Sequence, residues 1–470
     1  MRSYSCRPLL FAFLVVAVAC HTAPALSQHC GPFEVAKLLA ADTKEQDQLG
    51  GAVSVSGNTA VIGAIKGDGN APLSGAAYVF RFNGASWVQE SKLVADDGDT
   101  GDEFGRAVSI SGDTIIIGAI PGNLSGSSTG AAYVYRFDGT EWVQEAKLVA
   151  NDSEPGDFFC SSVSVSDDLA IMGAASDTTD GISTGSAYIY RFDGVNWVQE
   201  TKLLPDDGGA DDLFGWSVSI SDNIAVAGAF RNEDFGSGIG SAYVFRFDGT
   251  GWVQETKLLP DDGPHANHFG FSVSVSGDTV LVGAMWDSDI AAGAGAAYIF
   301  RFDDVEWVQE SKLRPDEGSP QDFFGRSVSI SGDTAVIGVP RDDDAGNNSG
   351  SAYVFRFDGA QWVHEAKVVS PRSTQGDSFG DSVSVSGNTA VMGASGSDGN
   401  VPDSGSAYIY DIYPDLCLPD INCDGSVTPT DFTAWINAFN SNLPACDQNS
   451  DGSCTPTDFT AWVTNFNAGC

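Results

Sequence analysis

Hydrophobic and polar positions along most of this chain repeat with a period of 55 residues. In the period that opens at Phe324, Ser327 to Ser331 alternates serine with Val328 and Ile330, the signature of a strand with one packed face. Thr334 to Val339 is a continuous run of small apolar residues, which suits a strand buried on both faces. Ser351 to Phe357 is an aromatic-rich strand, and Asp358-Gly359 supplies the turn into a fourth, Trp362 to Val368. Charged and apolar residues alternate in that fourth strand, as they do in outer strands that resist edge pairing. Four antiparallel strands of this kind make one propeller blade.

The period is kept without insertion. Phe-Gly or a close relative stands at Leu49-Gly50, Phe104-Gly105, Phe159-Cys160, Phe214-Gly215, Phe269-Gly270, Phe324-Gly325 and Phe379-Gly380. The tyrosine of the third strand keeps the same step from Tyr78 to Tyr408. The seventh copy stops after its third strand, at Tyr408-Ile409-Tyr410, whereas Phe33 to Leu39 reads as a fourth strand without its first three. The two ends complete one blade. An open β-solenoid has no reason to encode such a shared unit, so the pattern predicts an all-β, seven-bladed propeller over residues 28–413, closed by strands from both ends.

The Phe-Gly start, the Gly-Ala after the second strand (Gly118-Ala119, Gly283-Ala284, Gly393-Ala394) and the Gly-x-Ala-Tyr third strand resemble the FG-GAP repeats. The resemblance covers residues 33 to about 413 and implies the propeller of integrin α-subunit heads, where such repeats support extracellular adhesion. In integrin-like repeats an Asp-x-Asp-x-Asp-Gly calcium loop separates the first two strands. Here that junction is only a tight turn such as Ser331-Gly332-Asp333-Thr334.

After the propeller the period falls to 27 residues, which places a second domain at 414–470. Asp420, Asn422, Asp424, the Ser426 carbonyl and Asp431 fall at positions 1, 3, 5, 7 and 12 of a calcium loop, with Gly425 at the sharp turn. Asp447, Asn449, Asp451, Ser453 and Asp458 repeat the set around Gly452. Clustered carboxylates repel one another, and Ca2+ relieves that repulsion in each of the two sites. Each loop feeds a short helix: Phe432, Trp435, Ile436 and Phe439 recur at i, i+3, i+4 and i+7, as do Phe459, Trp462, Val463 and Phe466. The small α-helical calcium-loop module resembles a type I dockerin, and its Gly469-Cys470 ending is similar to anchors of exported planctomycete proteins. That resemblance implies docking onto a cohesin-like or cell-surface scaffold protein.

Charge and cysteines narrow the setting. With 63 acidic against 23 basic residues the formal charge is −40, which repels nucleic acid and anionic surfaces. Arg2 and Arg7, the apolar run Leu9 to Ala19 and the small-residue exit at Ala25-Leu26-Ser27 read as a secretory signal peptide over residues 1–27. The alternative, lipidation at Cys20, lacks a large aliphatic residue three positions earlier. No later segment is apolar enough for a membrane span. Export permits disulfides, and Cys417, Cys423, Cys446, Cys454 and Cys470 crowd the small tail, where a thin core gains most from them.

Catalytic candidates are few. His265 and His268 share a loop without a third metal ligand, and the expectation is solvation. His364 replaces a glutamine on an outer strand and is expected to be exposed, while Cys160 replaces the Phe-Gly glycine as a small buried thiol without a base. Acidic turns such as Asp96-Asp97-Gly98, Asp206-Asp207-Gly208 and Asp261-Asp262-Gly263 recur with the period and read as structural; Asp342-Asp343-Asp344 reads as a charged exposed loop. No nucleophile elbow, P-loop or dinucleotide fingerprint stands in context. Three readings follow: a non-catalytic binding or adhesion propeller with an unknown extracellular ligand, a purely structural surface protein, and a hydrolase of extracellular polymer. The first is the expectation.

Overall fold

The structure, a computed structural model, describes residues 32–120, 129–233, 238–263 and 267–412, together with Phe432, Thr433, Trp435, Ile436 and Phe459. Residues Gly31–Pro414 form one compact unit, and the tail belongs to a second. The first unit contains seven four-stranded antiparallel sheets. Blades 1 to 6 are continuous in sequence, and blade 7 takes three strands from Phe379–Ser386, Thr389–Ala394 and Ser406–Asp411. Its fourth strand is Phe33–Leu38, paired in the register Phe33↔Asp411 to Leu38↔Ala407. The register slips between Glu34 and Ala36, the same place in the repeat where blade 1 slips opposite Val79/Phe80. The N-terminal strand thus reproduces a bulge common to the other blades, and the expected closure is what the sheet shows.

Each first strand touches the first strands of both neighbouring blades, so seven of them line a central channel. Their inner edges have no fifth strand to bond with. The alternating serines fill that role: Ile110 N–H donates to Ser54 Oγ at 3.1 Å, Val165 to Ser109 at 3.0 Å, Val275 to Ser219 at 3.0 Å and Val385 to Ser329 at 3.0 Å. The ring closes the same way, with Val55 N–H on Ser384 Oγ at 3.0 Å. The polar half of the alternation is therefore the seam between blades.

The Phe-Gly and Gly-Ala motifs meet across the same seam. Phe104 N–H donates to the Ser74 carbonyl of the preceding blade at 2.9 Å, and Leu49 does so to Ser404 at 3.0 Å to close the ring. Gly105 lies at φ +92°, and a Cβ on it would sit 2.4 Å from the Ala76 oxygen. A Cβ on Gly63, the glycine of Gly63-Ala64, would sit 2.0 Å from the Gly105 oxygen. The glycine of Gly-Ala, kept in all seven blades, lets the two backbones approach so closely.

Second strands such as Thr334–Val339 are buried along their whole length, and the apolar clusters form between blades. Val61, Val79 and Leu93 of blade 1 pack on Phe104, Ile117 and Tyr133 of blade 2, while Leu38, Val391 and Ile409 of blade 7 pack on Leu49, Ile62 and Tyr78. Each such side chain contributes roughly 1.5–3 kcal/mol on full burial. The outer strand reaches across the gap as well: Trp142 Nε1 donates to Glu90 of the preceding blade at 2.9 Å, and Gln199 accepts the Asn151 N–H at 3.0 Å. Its polar residues are cross-blade ties in addition to a guard on the edge.

The serine seam has a measurable weight. Ser109→Ala leaves the buried Val165 N–H without an acceptor, and denaturant unfolding should show a loss of about 1–3 kcal/mol. Ser111→Ala, whose partner Asp167 N–H is exposed, should fall within about 0.5 kcal/mol of wild type. Equal losses at the two sites would contradict this account.

Candidate functional sites

First strands begin, second strands end and fourth strands end on one face of the propeller, so the acidic turns gather there. Asp97 accepts the Tyr133 hydroxyl at 2.9 Å and the Lys147 ammonium at 2.6 Å. Asp42 does the same for Tyr78 and Lys92, and Asp207 for Tyr243 and Lys257. Burial pushes the Tyr133 phenol up to about 12, the Asp97 carboxylate beside it reinforcing the rise and Lys147 opposing it. These are structural ties between a loop and the blade it enters.

In blade 5 the carboxylates of Asp262, Asp287 and Asp289 converge within 4.8 Å, a geometry that could hold a metal. The Lys312 ammonium already bonds to all three, at 2.9 Å from Asp287. Burial opposes its charge, but the bonds to Asp262, Asp289 and Asp287 outweigh that and hold its pKa above the ordinary lysine value. Asp342 and Asp344 are bridged likewise by Lys367, at 2.6 Å each, with Asp342 buried. The Asp342–Asp344 segment is thus only partly the exposed loop expected from sequence. Its first carboxylate is a packed anchor for an internal cation.

A second set of aspartates lies two residues before the Phe-Gly position in every blade but blade 5, which has Asn267 there. Asp322 is buried and accepts the Ser319 N–H at 2.6 Å, and Asp212 accepts Gly209 N–H at 2.7 Å. Burial raises the Asp322 carboxyl to about 6; the Ser319 N–H opposes the rise, and Asp342 and Asp343 add to it.

The histidines depart from expectation. His268 is half-buried, not solvated: its ring lies 5.2 Å from Phe230 and 6.1 Å from Trp286, and burial lowers its pKa. His265 lies outside the described residues. His364 is also half-buried, not exposed, with Nδ1 2.8 Å from Asp316 and its ring 5.2 Å from both Tyr353 and Phe355. It fills the place where other blades use glutamine to hold the loop that leads into the blade. Cys160 is fully buried at φ +70°, and burial pushes its thiol well above the ordinary value, which removes it as a nucleophile.

A row of rings that the repeat pattern does not predict stands on this face. Trp216 and Phe271 follow Phe-Gly in blades 4 and 5, and Phe230 and Trp286 follow the Gly-Ala of the same blades. Trp216 lies 5.0 Å from Phe230 and 5.7 Å from Phe271, Phe230 lies 5.3 Å from Phe271, and Trp286 lies 4.8 Å from Phe323 of blade 6. Column-by-column comparison of the seven copies shows the signal, since blade 1 has Gly51 and Ile65 where blade 4 has Trp216 and Phe230.

The ten tail residues expected to bind calcium, from Asp420 to Asp458, lie outside the described residues, as does the signal segment. In the tail, Phe432, Thr433, Trp435, Ile436 and Phe459 are helical. Trp435 is buried, with its ring 5.4 Å from Phe459, and Phe432 lies 5.8 Å from Phe459. Phe432 and Trp435 of the first apolar stripe therefore meet Phe459 of the second. Ile436 stays largely exposed at the margin of the stripe.

Fold and repeat define a seven-bladed propeller with a separate two-repeat tail. The FG-GAP repeat family matches residues 32–80, 87–135, 142–190, 197–245, 252–300, 307–355 and 362–410, and the chain belongs to that family. Each match runs from an outer strand into the first three strands of the next blade, so the sequence unit is offset from the structural blade by one strand. The Dockerin type I domain matches residues 418–465; domains of this type bind calcium and dock onto cohesin-bearing scaffolds. Compared with curated proteins one by one, the chain matches none.

Asp322 provides a test of the buried carboxyls. Because its pKa is raised in the folded chain, its ionisation costs stability, and that cost grows as pH rises from about 4 through about 6. Asn267 already occupies the equivalent place in blade 5. Asp322→Asn should gain about 2 kcal/mol relative to wild type between pH 4.5 and 7.5, measured by denaturant unfolding at each pH. A difference that does not change with pH would sink the assignment.

Proposed function

We propose that this protein is an exported, non-catalytic binding propeller that a calcium-loaded dockerin module fastens to a cohesin-like or cell-surface scaffold. The observation that carries the reading is the engagement of the acidic groups. Among the described residues, the one carboxylate triad with metal-like geometry is filled by Lys312, and the recurrent acidic turns are tied to tyrosine and lysine. A glycosidase-type acid/base pair needs two carboxyls free to exchange protons with substrate. These are engaged in holding loops to blades.

Attachment rests on the tail. Asp420, Asn422, Asp424, the Ser426 carbonyl and Asp431 form one all-oxygen donor set, and Asp447, Asn449, Asp451, the Ser453 carbonyl and Asp458 form the other. Hard oxygen donors with a glycine at the turn suit Ca2+ over a transition metal. The contact of Phe432 and Trp435 with Phe459 joins the two loop–helix repeats, so both loops would order together when metal binds.

Calorimetric titration of the full-length mature chain with Ca2+ is the test. Wild type should show two tail sites, with Asp424→Ala and Asp451→Ala each removing one, and retention on an immobilised cohesin should vanish with chelator. Binding that neither substitution diminishes, or cohesin retention that ignores calcium, would contradict the proposal.

A further inference from the structure

The ring row on blades 4 to 6 is not needed to build the propeller. The serine ladder and the Phe-Gly bonds run through all seven blades, including blade 1, which places Gly51 and Lys66 where blades 4 and 5 place Trp216 and Trp286. Trp216, Phe271 and Trp286 are only half-buried, so the row presents apolar ring faces beside the channel mouth. A cluster of departures that the blade-to-blade bonds do not use points to something outside the fold.

The arginines sharpen the picture. Nearly every described arginine sits against a carboxylate, as with Arg81 on Glu90, Arg136 on Glu145 and Arg356 on Glu365. Arg106, Arg191, Arg246, Arg301, Arg314 and Arg372 are paired likewise. Among the described residues the exceptions are Arg231 and Arg341, and both border the ring row. Arg341 lies 4.5 Å over the Phe323 ring and Arg231 5.7 Å over Phe230, both exposed and without an ion pair. Between them Arg326 stacks on Phe271 at 5.7 Å while bonded to Asp381. In a chain with 63 acidic residues, two unpaired guanidiniums on one aromatic surface are a local reversal of sign. Screening confines the repulsion from the remaining acidic groups to about 8 Å at physiological salt, so the local charge decides what binds there.

We infer that this face binds an anionic saccharide. Pyranose rings present C–H faces that stack on Trp216, Phe271 and Trp286, and successive sugars can follow the row across the blades. Arg231 and Arg341 take a carboxylate or sulfate of the chain through paired N–H bonds. An acidic peptide would satisfy the arginines but has no ring faces for the row. The inference rests on the reading of the propeller as a binding module and names its ligand class.

The test uses the full-length calcium-loaded chain, with titration calorimetry and the fluorescence of Trp216 and Trp286 as readouts. The probes are a hexa-galacturonate, a sulfated galactan hexasaccharide, cellohexaose as the neutral sugar and hexaglutamate as the acidic peptide. One of the two anionic sugars should bind, which also separates carboxylate from sulfate as the group recognised. Arg231→Gln/Arg341→Gln should weaken it by about tenfold or more, since each charge-assisted contact is strong. Both arginines are exposed, so an unchanged melting curve serves as the folding control for that variant; Trp286→Ala should weaken binding comparably. Equal affinity for cellohexaose, binding of hexaglutamate in place of the sugars, or undiminished affinity in the arginine variant would overturn the inference. Retention on a polymer of another class, equal in wild type and variants, would overturn it while leaving the binding propeller standing. No retention on any polymer, with calcium titration normal, would remove the propeller half of the proposed function as well.

Discussion

The unpaired inner edge of each blade is the constraint on which the rest of this molecule depends. A four-stranded sheet has two edges, and the edge facing the channel is buried against its neighbour, where unmet N–H groups are costly. Serine answers at alternate positions, its hydroxyl accepting the N–H of the next blade, from Ser54 on Ile110 round to Ser384 on Val55. For the hydroxyl to reach, the blades must approach closely, and that approach sets Gly63 against the Gly105 carbonyl. The Ser-Val alternation, Phe-Gly and Gly-Ala are three consequences of one seam.

Charge follows a similar logic. The chain is strongly acidic, yet each outer strand carries one lysine at the same place in the repeat, and Lys147, Lys257 and Lys312 there each draw a carboxylate and a tyrosine ring together. These lysines act as internal counter-ions to the loop carboxylates. Calcium is the ion of dockerin type I domains, the kind of domain that the tail matches.

The repeat also separates structure from recognition. Positions that hold blades together are nearly invariant along the chain, so a departure is informative in proportion to the regularity around it. Cys160 and His364 depart but are absorbed, one into the core and one into the place of a glutamine. Trp216, Trp286, Arg231 and Arg341 depart without any such replacement, and they do so together.

Much of this was legible in the chain itself. Strand limits such as Thr334–Val339 and Trp362–Val368, the seven blades and the borrowed closing strand follow from period and alternation, because a propeller writes each structural unit once per repeat. The helical placement of Phe432, Trp435 and Phe459 in the tail is likewise read from spacing. What lay beyond the sequence were contacts between residues in different copies. Period two says that serine and valine face opposite ways but not that the serine side meets another backbone. Spacing shows Asp262, Asp287, Asp289 and Lys312 in one repeat but not that they share a point. His268 reads as a loop residue until two blades bring Phe230 and Trp286 around it. By itself the sequence determined the blade, its number and its closure, since these are local patterns repeated. Only the tertiary structure decided which carboxylates are engaged and which rings and arginines gather at the channel mouth, because those neighbours are set by how blades pack around the axis.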